Sequence, residues 1–210
     1  MKQLKVDSYK EYVKLQTKGN KAKLKKNKNL HGIKNEEIDF VTKYVKKNIP
    51  EATFGICHGV RNGWEVCELR KSLDIDIIGT DISSTAVEFE HVIQHDFHKI
   101  KPEWLGSVDF IMTNSLDHSY DPAMAIDQWM SCVKDTGRLF LIWMKTHNES
   151  FLREGSGDLF GANRPEYKDL IEKKYCLEEM KPIRVLNHGV RYIFIVKHRR
   201  ESNGNGIEVS

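Results

Sequence analysis

The sequence lacks long apolar runs and is poor in cysteine, and each absence excludes a class of protein. No apolar run approaches the roughly 18 residues of a membrane-spanning helix, and the first residues, MKQLKVDSYKEY, contain no apolar segment typical of a signal peptide. The four cysteines are widely separated and form no CxxC pair, so neither a zinc site nor a disulfide framework is indicated. We expect a soluble, cytoplasmic protein that binds no membrane.

Charge is unevenly distributed along the 210 residues. The net charge is +3, but residues 1–35 contain 11 lysines against Asp7 and Glu11, a local charge of +9 that leaves −6 for the remainder. We interpret residues 1–35 as a basic N-terminal arm or lid. Such an arm can contact nucleic acid or another polyanion, whereas most lysine-rich segments are solvated helix faces or frayed termini.

From about residue 36 onward, short apolar runs alternate with segments of helical spacing. The apolar runs are TFGIC, IDIIGTD, HVIQHD, VDFIMTNS and RLFLIWM, and the helical segments between them begin near Gly63, Ser84 and Pro122. Apolar strands that alternate with helices are typical of a parallel sheet covered by helices on both faces. The predicted fold class is therefore α/β, with a doubly wound and mostly parallel sheet.

The pattern changes towards the end of the chain. A helix from about Pro165 to Tyr175 precedes two apolar strands, which the Asn-His-Gly sequence at residues 187–189 joins. Asparagine and glycine are typical of tight hairpin turns, so we expect an antiparallel C-terminal hairpin. Residues 36–200 should form one Rossmann-like domain, and the polar residues 201–210, ESNGNGIEVS, are predicted to be disordered.

Two glycines, Gly59 and Gly63, follow the first apolar run in the segment FGICHGVRNGWEV. In a doubly wound sheet this turn lies where ligands bind, and glycines there allow a close approach of the backbone. Asp81 ends the next apolar run, where a carboxylate can accept hydrogen bonds from both hydroxyls of a ribose. The alternative is a loop without a ligand and an Asp81 that caps the following helix. The order of strand, turn, helix, strand and acid favours the ribose.

Asp96 ends the third apolar run and adds a carboxylate at the same edge of the sheet. It can bind an adenine amino group while Phe97 or Ile82 packs on the ring. Carboxylates at the ends of loops are common, so Asp96 alone decides little. Together with the glycine turn and Asp81, it predicts a nucleoside site.

These motifs resemble those of the class I methyltransferases that use S-adenosylmethionine. ICHGVRNG is similar to the glycine-rich first motif of that family, Asp81 to its ribose-binding acid, Asp96 to its adenine-binding acid and VDFIMTNSLDHSYDP to its fourth strand and active-site loop. The resemblance covers roughly residues 40–197 and implies a seven-stranded sheet with S-adenosylmethionine across the ends of the first and fourth strands. It implies cofactor contacts from Gly59, Arg61, Gly63, Asp81, Ile82, Asp96, Phe97, Asn114 and Ser115.

Arg61 stands where the family often has a middle glycine, and its guanidinium can pair with the cofactor's carboxylate. A dehydrogenase is the competing interpretation, because it shares the turn and the acid. Its dinucleotide motif needs GxGxxG spacing to place a pyrophosphate on a helix N-terminus, and residues 59–63 do not supply that spacing. S-adenosylmethionine has no phosphate, so the looser motif fits it better.

The segment NSLDHSYDP, residues 114–122, follows the fourth predicted strand, where a transferred methyl group would meet its acceptor. His118 is the candidate general base, since the ordinary pKa of histidine, about 6.5, lies near neutral pH. Asp117 or Asp121 would orient it. In the alternative, one of these acids caps the helix that begins near Pro122, and His118 only lines the pocket.

We predict no metal site. His91, His95, Asp96 and His98 are close in sequence, but a change from helix to strand between them would point their side chains in different directions.

Two segments are candidates to close over the site. The predicted loop 144–163 is longer than an ordinary connection and contains three glycines. The basic arm is the other candidate, with Gln16, Asn20 and Lys21 placed to reach the cofactor or the acceptor if the arm folds back. In the alternative, these three residues are ordinary exposed polar residues.

The predicted function is transfer of a methyl group from S-adenosylmethionine to an oxygen of a small or sugar-like acceptor. Two alternatives stay open: an RNA methyltransferase whose lysines contact phosphates, and a binding protein that keeps the fold without catalysis.

Overall fold

A computed structural model of the chain describes residues 1–155 and 157–199, so the predicted disorder of residues 201–210 lies outside the described part. The helices are α1 (Tyr9–Lys26), α2 (Asn35–Asn48), α3 (Trp64–Leu73), α4 (Pro122–Cys132) and α5 (Arg164–Glu172). The strands are β1 (Lys2–Gln3), β2 (Phe54–His58), β3 (Asp76–Asp81), β4 (Val92–Gln94), β5 (Val108–Thr113), β6 (Val133–Trp143), β7 (Phe160–Gly161), β8 (Cys176–Val185) and β9 (Gly189–Lys197).

Seven strands form the central sheet in the order β4-β3-β2-β5-β6-β9-β8. Strands β2 to β6 run parallel to one another, and β9 lies between β6 and β8 and is antiparallel to both. The chain leaves β2 towards β3 on one side and later returns to β5 on the other, so the topological switch point lies between β2 and β5. Ligands of doubly wound sheets bind at that point. The predicted α/β fold and its antiparallel hairpin are confirmed.

Apolar burial on both faces of the sheet explains the strands. All six residues of β5, VDFIMT, are buried, as expected for a central parallel strand between two helical layers. One apolar cluster lies between the sheet and α2 and α3, around Val41 and Leu69, and the other lies against α4 and α5, around Trp129 and Tyr167. The carboxyl ends of the strands are therefore held in a fixed relation to one another.

The local signals at the helix ends place most boundaries within a residue or two. Asn163 caps α5, accepting a hydrogen bond from the amide of Glu166 at 3.0 Å. Helix α2 begins at Asn35 and is preceded by Lys34 as its N-cap, whose amide donates a hydrogen bond to the Glu37 side chain at 2.8 Å. The predicted helix after Ser84 is a short 3₁₀ turn. No helix in the described ranges combines the length and apolarity needed to cross a bilayer.

The basic arm folds into a long helix instead of fraying. Helix α1 spans 18 residues and buries Tyr12, Gln16 and Leu24, while lysines such as Lys14 and Lys18 stay exposed. Ahead of it, β1 pairs with β7 in antiparallel register. Both segments predicted as covers, residues 1–35 and residues 144–163, are thus joined by backbone hydrogen bonds.

Candidate functional site

A cavity of about 260 Å³ lies beyond the carboxyl ends of β2, β3 and β5, at the switch point of the sheet. Its wall comes from the turn after β2, the ends of the neighbouring strands and helix α1. The lining includes these residues predicted from the sequence: Gly59, Arg61, Asp81, Ile82, Asp96, Phe97, Asn114, Ser115, Asp117 and His118. The strand order therefore brings together side chains that are up to 59 positions apart in the sequence.

The turn after β2 requires glycine at its first position. Gly59 has φ +74°, and a Cβ atom there would lie 2.2 Å from the Ser115 hydroxyl oxygen, so the loop after β5 packs directly on the turn. Arg61 also has a positive φ, +50°, and its amide donates to Asp81 Oδ2 at 3.0 Å. The backbone of the turn and the predicted ribose acid do converge.

Gly63 lies at the end of the turn, directly before α3, as the sequence indicated. It is absent from the cavity wall as the described residues define it, and it precedes the first residue of α3 with φ +69°. A Cβ atom on Gly63 would lie 2.5 Å from a methyl group of Val92 on β4. This glycine therefore allows the turn to pack against the sheet, and its predicted cofactor contact has no support in the geometry.

Asp81 is almost fully buried and accepts several hydrogen bonds. Its Oδ1 accepts from the amide of Ser83 at 2.8 Å, as a cap would, and the Asn20 amide group donates to both oxygens at 2.7 and 2.8 Å. Burial raises the pKa of the Asp81 carboxyl, although these donors oppose the shift. The capping role and the position at the cavity coexist in one side chain.

Asp96 is also hydrogen-bonded to α1. The Tyr9 hydroxyl donates to Oδ2, and the amide of His98 donates to Oδ1 at 3.0 Å. Burial would raise the pKa of Asp96, but the hydrogen bonds from His98 and Tyr9 outweigh it and lower the pKa. Phe97 lies beside it, half-buried, against the ring of Trp129.

Helix α1 covers the cavity through one side of its surface. Gln16 donates to the carbonyl of Gly157 at 2.6 Å, and Tyr12 packs edge-on against His98. Asn20 binds Asp81, as described above. Lys21 is exposed and is not among the lining residues. Of the three polar residues predicted to reach the site, two do so.

His118 lies at the other part of the cavity, next to the loop after β6. Its Nδ1 is 3.0 Å from the carbonyl oxygen of Gly157 and 3.4 Å from Asp158 Oδ1. Asp121 instead caps α4, accepting from the amide of Met124 at 3.0 Å, which is the alternative considered for it. The acid beside His118 is Asp158, which the sequence did not single out.

Asp117 lies beside the buried His147 instead of orienting His118. Its Oδ2 lies 3.7 Å from Nε2 of His147, whose pKa is lowered by burial. Within the described residues, Asp117 Oδ1 and His147 Nδ1 are buried without a hydrogen-bond partner. Both side chains line the cavity, so this part of the wall offers hydrogen-bonding capacity that the protein's described groups do not use.

The histidines that are close in sequence are separated in space. His95 contacts the carbonyl of Lys99 at 2.9 Å, while His98 contacts the Ser119 hydroxyl at 2.7 Å. A different set of potential ligand atoms, from Asp117, His118 and Asp158, lies within 4.8 Å of one another. The predicted absence of a metal stays a prediction.

Glu65 is a cavity residue that the sequence analysis missed. It is 3% exposed, and its Oε2 is buried with no hydrogen-bond partner in residues 1–155 and 157–199. Burial raises the pKa of Glu65 to about 8. The available signal was a carboxylate two residues after the second glycine, in the first turn of α3.

Solved structures share this architecture. A 1,6-didemethyltoxoflavin-N1-methyltransferase from Burkholderia thailandensis, solved with bound 1,6-didemethyltoxoflavin and S-adenosylhomocysteine, is similar with a TM-score of 0.71 at 8% identity, covering 94% of this chain and 92% of that one. The N-methyltransferase NodS from Bradyrhizobium japonicum, also solved with S-adenosylhomocysteine, gives 0.58 at 12% identity, covering 91% and 98%. The chain has the class I methyltransferase fold. The likeness of sequence is far weaker than that of structure.

A third structure with the methyltransferase fold is a sugar N-methyltransferase from a Streptoalloteichus species, with a TM-score of 0.58 at 15% identity, covering 79% of this chain and 88% of that one. No protein-family model matches the sequence, and no curated protein matches it either. At such identities the comparisons establish the fold, and the chemistry has to be argued from the cavity.

Proposed function

We propose that the protein is an S-adenosylmethionine-dependent methyltransferase that acts on a small polar acceptor. The observation that carries the proposal is the convergence of the Gly59–Arg61 turn, Asp81 and Asp96 on one cavity at the switch point. Bound S-adenosylmethionine would supply an electrophilic methyl group on a sulfonium. The protein's part is to hold that group and position an acceptor in line with it.

The residues present fit the cofactor in kind and in order. Asp81 would accept the ribose hydroxyls, and Asp96 the adenine amino group, with Phe97 and Ile82 against the ring. Gly59 has no Cβ atom, so the loop after β5 packs directly on it, and both segments lie in the wall of the cavity. Asn114 and Ser115 lie in the same wall. The Asp81 carboxylate suits the ribose of S-adenosylmethionine, and the Arg61 guanidinium suits the carboxylate at its amino-acid end.

His118 is the proposed general base for an acceptor hydroxyl. Its Nδ1 faces the carbonyl of Gly157, which can only accept a hydrogen bond, so Nδ1 carries the proton and Nε2 has the free lone pair. Asp158, 3.4 Å from Nδ1, would stabilise the imidazolium that forms when Nε2 takes the acceptor proton.

Asp117 and His147 support a polar acceptor. Their partnerless buried atoms, Asp117 Oδ1 and His147 Nδ1 among the described residues, would each gain a hydrogen bond from a bound hydroxyl or amine. The similar structures include N-methyltransferases as well as a mitomycin 7-O-methyltransferase. We propose oxygen as the acceptor atom because a proton has to be removed there and a base is present.

Residues 1–35 are proposed as a lid and not as an RNA-binding arm. Their helix α1 contacts Asp81 and Asp96 inside the cavity, whereas a free basic arm would extend from the body. The exposed lysines on its outer face keep RNA binding as the alternative. Loss of affinity with rising salt would identify phosphate contacts.

The test is calorimetric titration with S-adenosylhomocysteine. We expect the unmodified protein to bind it and Asp81→Asn to bind it about 10- to 100-fold more weakly, because hydrogen bonds to a charged carboxylate are lost. Asp135→Asn makes the same change at an exposed carboxylate of β6 and should bind normally. Absence of binding by the folded, unmodified protein would exclude the proposed cofactor and leave the non-catalytic alternative.

A further inference from the structure

Glu65 is a buried acidic residue of the cavity wall that has none of the roles proposed above for the ribose, the adenine or the acceptor. It lies in the first turn of α3, lines the cavity and is only 3% exposed. Its Oε2 meets no hydrogen-bond donor within the described ranges. A buried carboxyl oxygen without a partner is costly, so each such case needs a reason.

The groups that face Glu65 do not supply that reason. Arg61 is the positive group that acts on it, but its guanidinium is turned to Asn20 Oδ1 and to the carbonyl of Leu30, both at 3.3 Å. Asp81 is the other charged neighbour and repels a second negative charge. Cys57, on β2, lies near enough for Glu65 to raise its pKa further. What Glu65 lacks is a cation with hydrogen-bond donors.

The start of α3 helps but does not suffice. A helix N-terminus favours an anion, and the backbone amide of Glu65 itself hydrogen-bonds its carboxylate. Burial nevertheless dominates. The partner that would complete the site must therefore come from within the cavity, must be positively charged and must bind beside Arg61.

We propose that Glu65 binds the ammonium group at the amino-acid end of the cofactor, while Arg61 binds the carboxylate of the same end. This inference rests on the proposed function. The turn after β2 and the first turn of α3 then form a site for a zwitterion. Arg61 and Glu65, four residues apart along the chain, bind its negative and positive groups respectively. An ammonium has three donors and satisfies both oxygens of Glu65.

Proton release follows from this arrangement. Because the pKa of Glu65 is raised to about 8 in the free protein, the side chain is mostly protonated at pH 7. An ammonium bound beside it favours the carboxylate, so the proton leaves to the buffer. The binding heat of S-adenosylhomocysteine should then depend on the ionisation heat of the buffer, with about one proton released.

The experiment compares three ligands by calorimetry at pH 7. They are S-adenosylhomocysteine, its deaminated analogue with hydrogen in place of the amino group, and 5′-methylthioadenosine, which lacks the amino-acid end. We expect Glu65→Gln to bind S-adenosylhomocysteine about 10- to 100-fold more weakly and to bind the other two within about twofold of the unmodified protein. Glu68→Gln, on the same helix but paired with Lys71 at the surface, should behave normally.

The outcomes separate this inference from the proposed function. If the unmodified protein binds none of the three ligands, both fail. A second outcome is that the unmodified protein binds 5′-methylthioadenosine, and that Glu65→Gln and the unmodified protein prefer S-adenosylhomocysteine to the deaminated analogue by the same factor. In that case only the role of Glu65 is wrong. Should Glu65→Gln not fold, proton release by the unmodified protein decides, measured in two buffers of different ionisation heat. Proton release with S-adenosylhomocysteine and not with 5′-methylthioadenosine supports the proposed role of Glu65. Equal heats of S-adenosylhomocysteine binding in the two buffers refute it.

Discussion

Replacing Glu65 by glutamine should change how the stability of the ligand-free protein depends on pH. The pKa of Glu65 is about 8 in the folded protein against an ordinary value of 4.5, because burial disfavours the charged form. Between these two values the folded protein binds a proton that the unfolded chain has released. The free energy of unfolding therefore falls as pH rises from about 4.5 to about 8.

The magnitude follows from the size of the shift. Each unit of pKa corresponds to about 1.4 kcal/mol, so this side chain alone removes on the order of 5 kcal/mol between pH 4 and pH 9. Glutamine has nearly the same shape and does not ionise. Glu65→Gln should therefore match the unmodified protein within about 1 kcal/mol at pH 4.5 and exceed it by several kcal/mol at pH 9.

Urea denaturation of both proteins at pH 4.5, 6, 7.5 and 9 measures this difference. Subtracting one pH curve from the other cancels the titration of the remaining groups, and Glu68→Gln serves as the control because Glu68 is only half-buried and pairs with Lys71. Parallel curves for Glu65→Gln and the unmodified protein would show that Glu65 is ionised in the folded state. In that case Glu65 would need no cation from the ligand.

Three further changes test the turn, the lid and the base. Gly59→Ala should destabilise the protein by about 2 kcal/mol or more in thermal unfolding, since φ is +74° and its Cβ would clash, whereas Gly19→Ala in open space should stabilise it by about 0.5–1 kcal/mol. Asn20→Ala should bind S-adenosylhomocysteine up to about tenfold more tightly, because the amide no longer competes for Asp81; weaker binding would contradict this. His118→Ala should bind S-adenosylhomocysteine normally but lower methyl transfer to polar acceptors about 100-fold or more, and an unchanged rate would refute the base.

The fold was predictable because its central strands are buried on both sides. A mostly apolar run such as β5 fits few environments other than the middle of a parallel sheet, and the alternation of such runs with helices is typical of a doubly wound topology. The site residues followed from the same geometry: Asp81 and Asp96 end neighbouring parallel strands, so they had to meet at one edge. Position on a strand end was sufficient, without any knowledge of contacts.

Residues on long connections were not predictable in this way. Asp158 approaches His118 from a loop whose path no local pattern determines. His147 lies in the short turn that follows β6, where nothing in the sequence distinguishes it from other loop residues. The sequence also did not show that Gly63 packs on Val92, because a glycine in a turn can serve a ligand or a packed neighbour. Glu65 was missed because helix-start acids are usually exposed, and its burial depends on what covers the turn.

Helix α1 shows how a composition signal can mislead. Its lysines drew attention to polyanions, while the informative pattern was the spacing of Tyr9, Tyr12, Gln16 and Asn20 at three- and four-residue intervals along one face. That face binds both acids of the proposed nucleoside site. A cofactor that uses the same acids must displace those hydrogen bonds, so its measured affinity is the intrinsic affinity reduced by the fraction of molecules in which α1 is open. Cofactor entry and the closure of the acceptor side, which α1 reaches through Gln16 and Gly157, are therefore coupled through one helix.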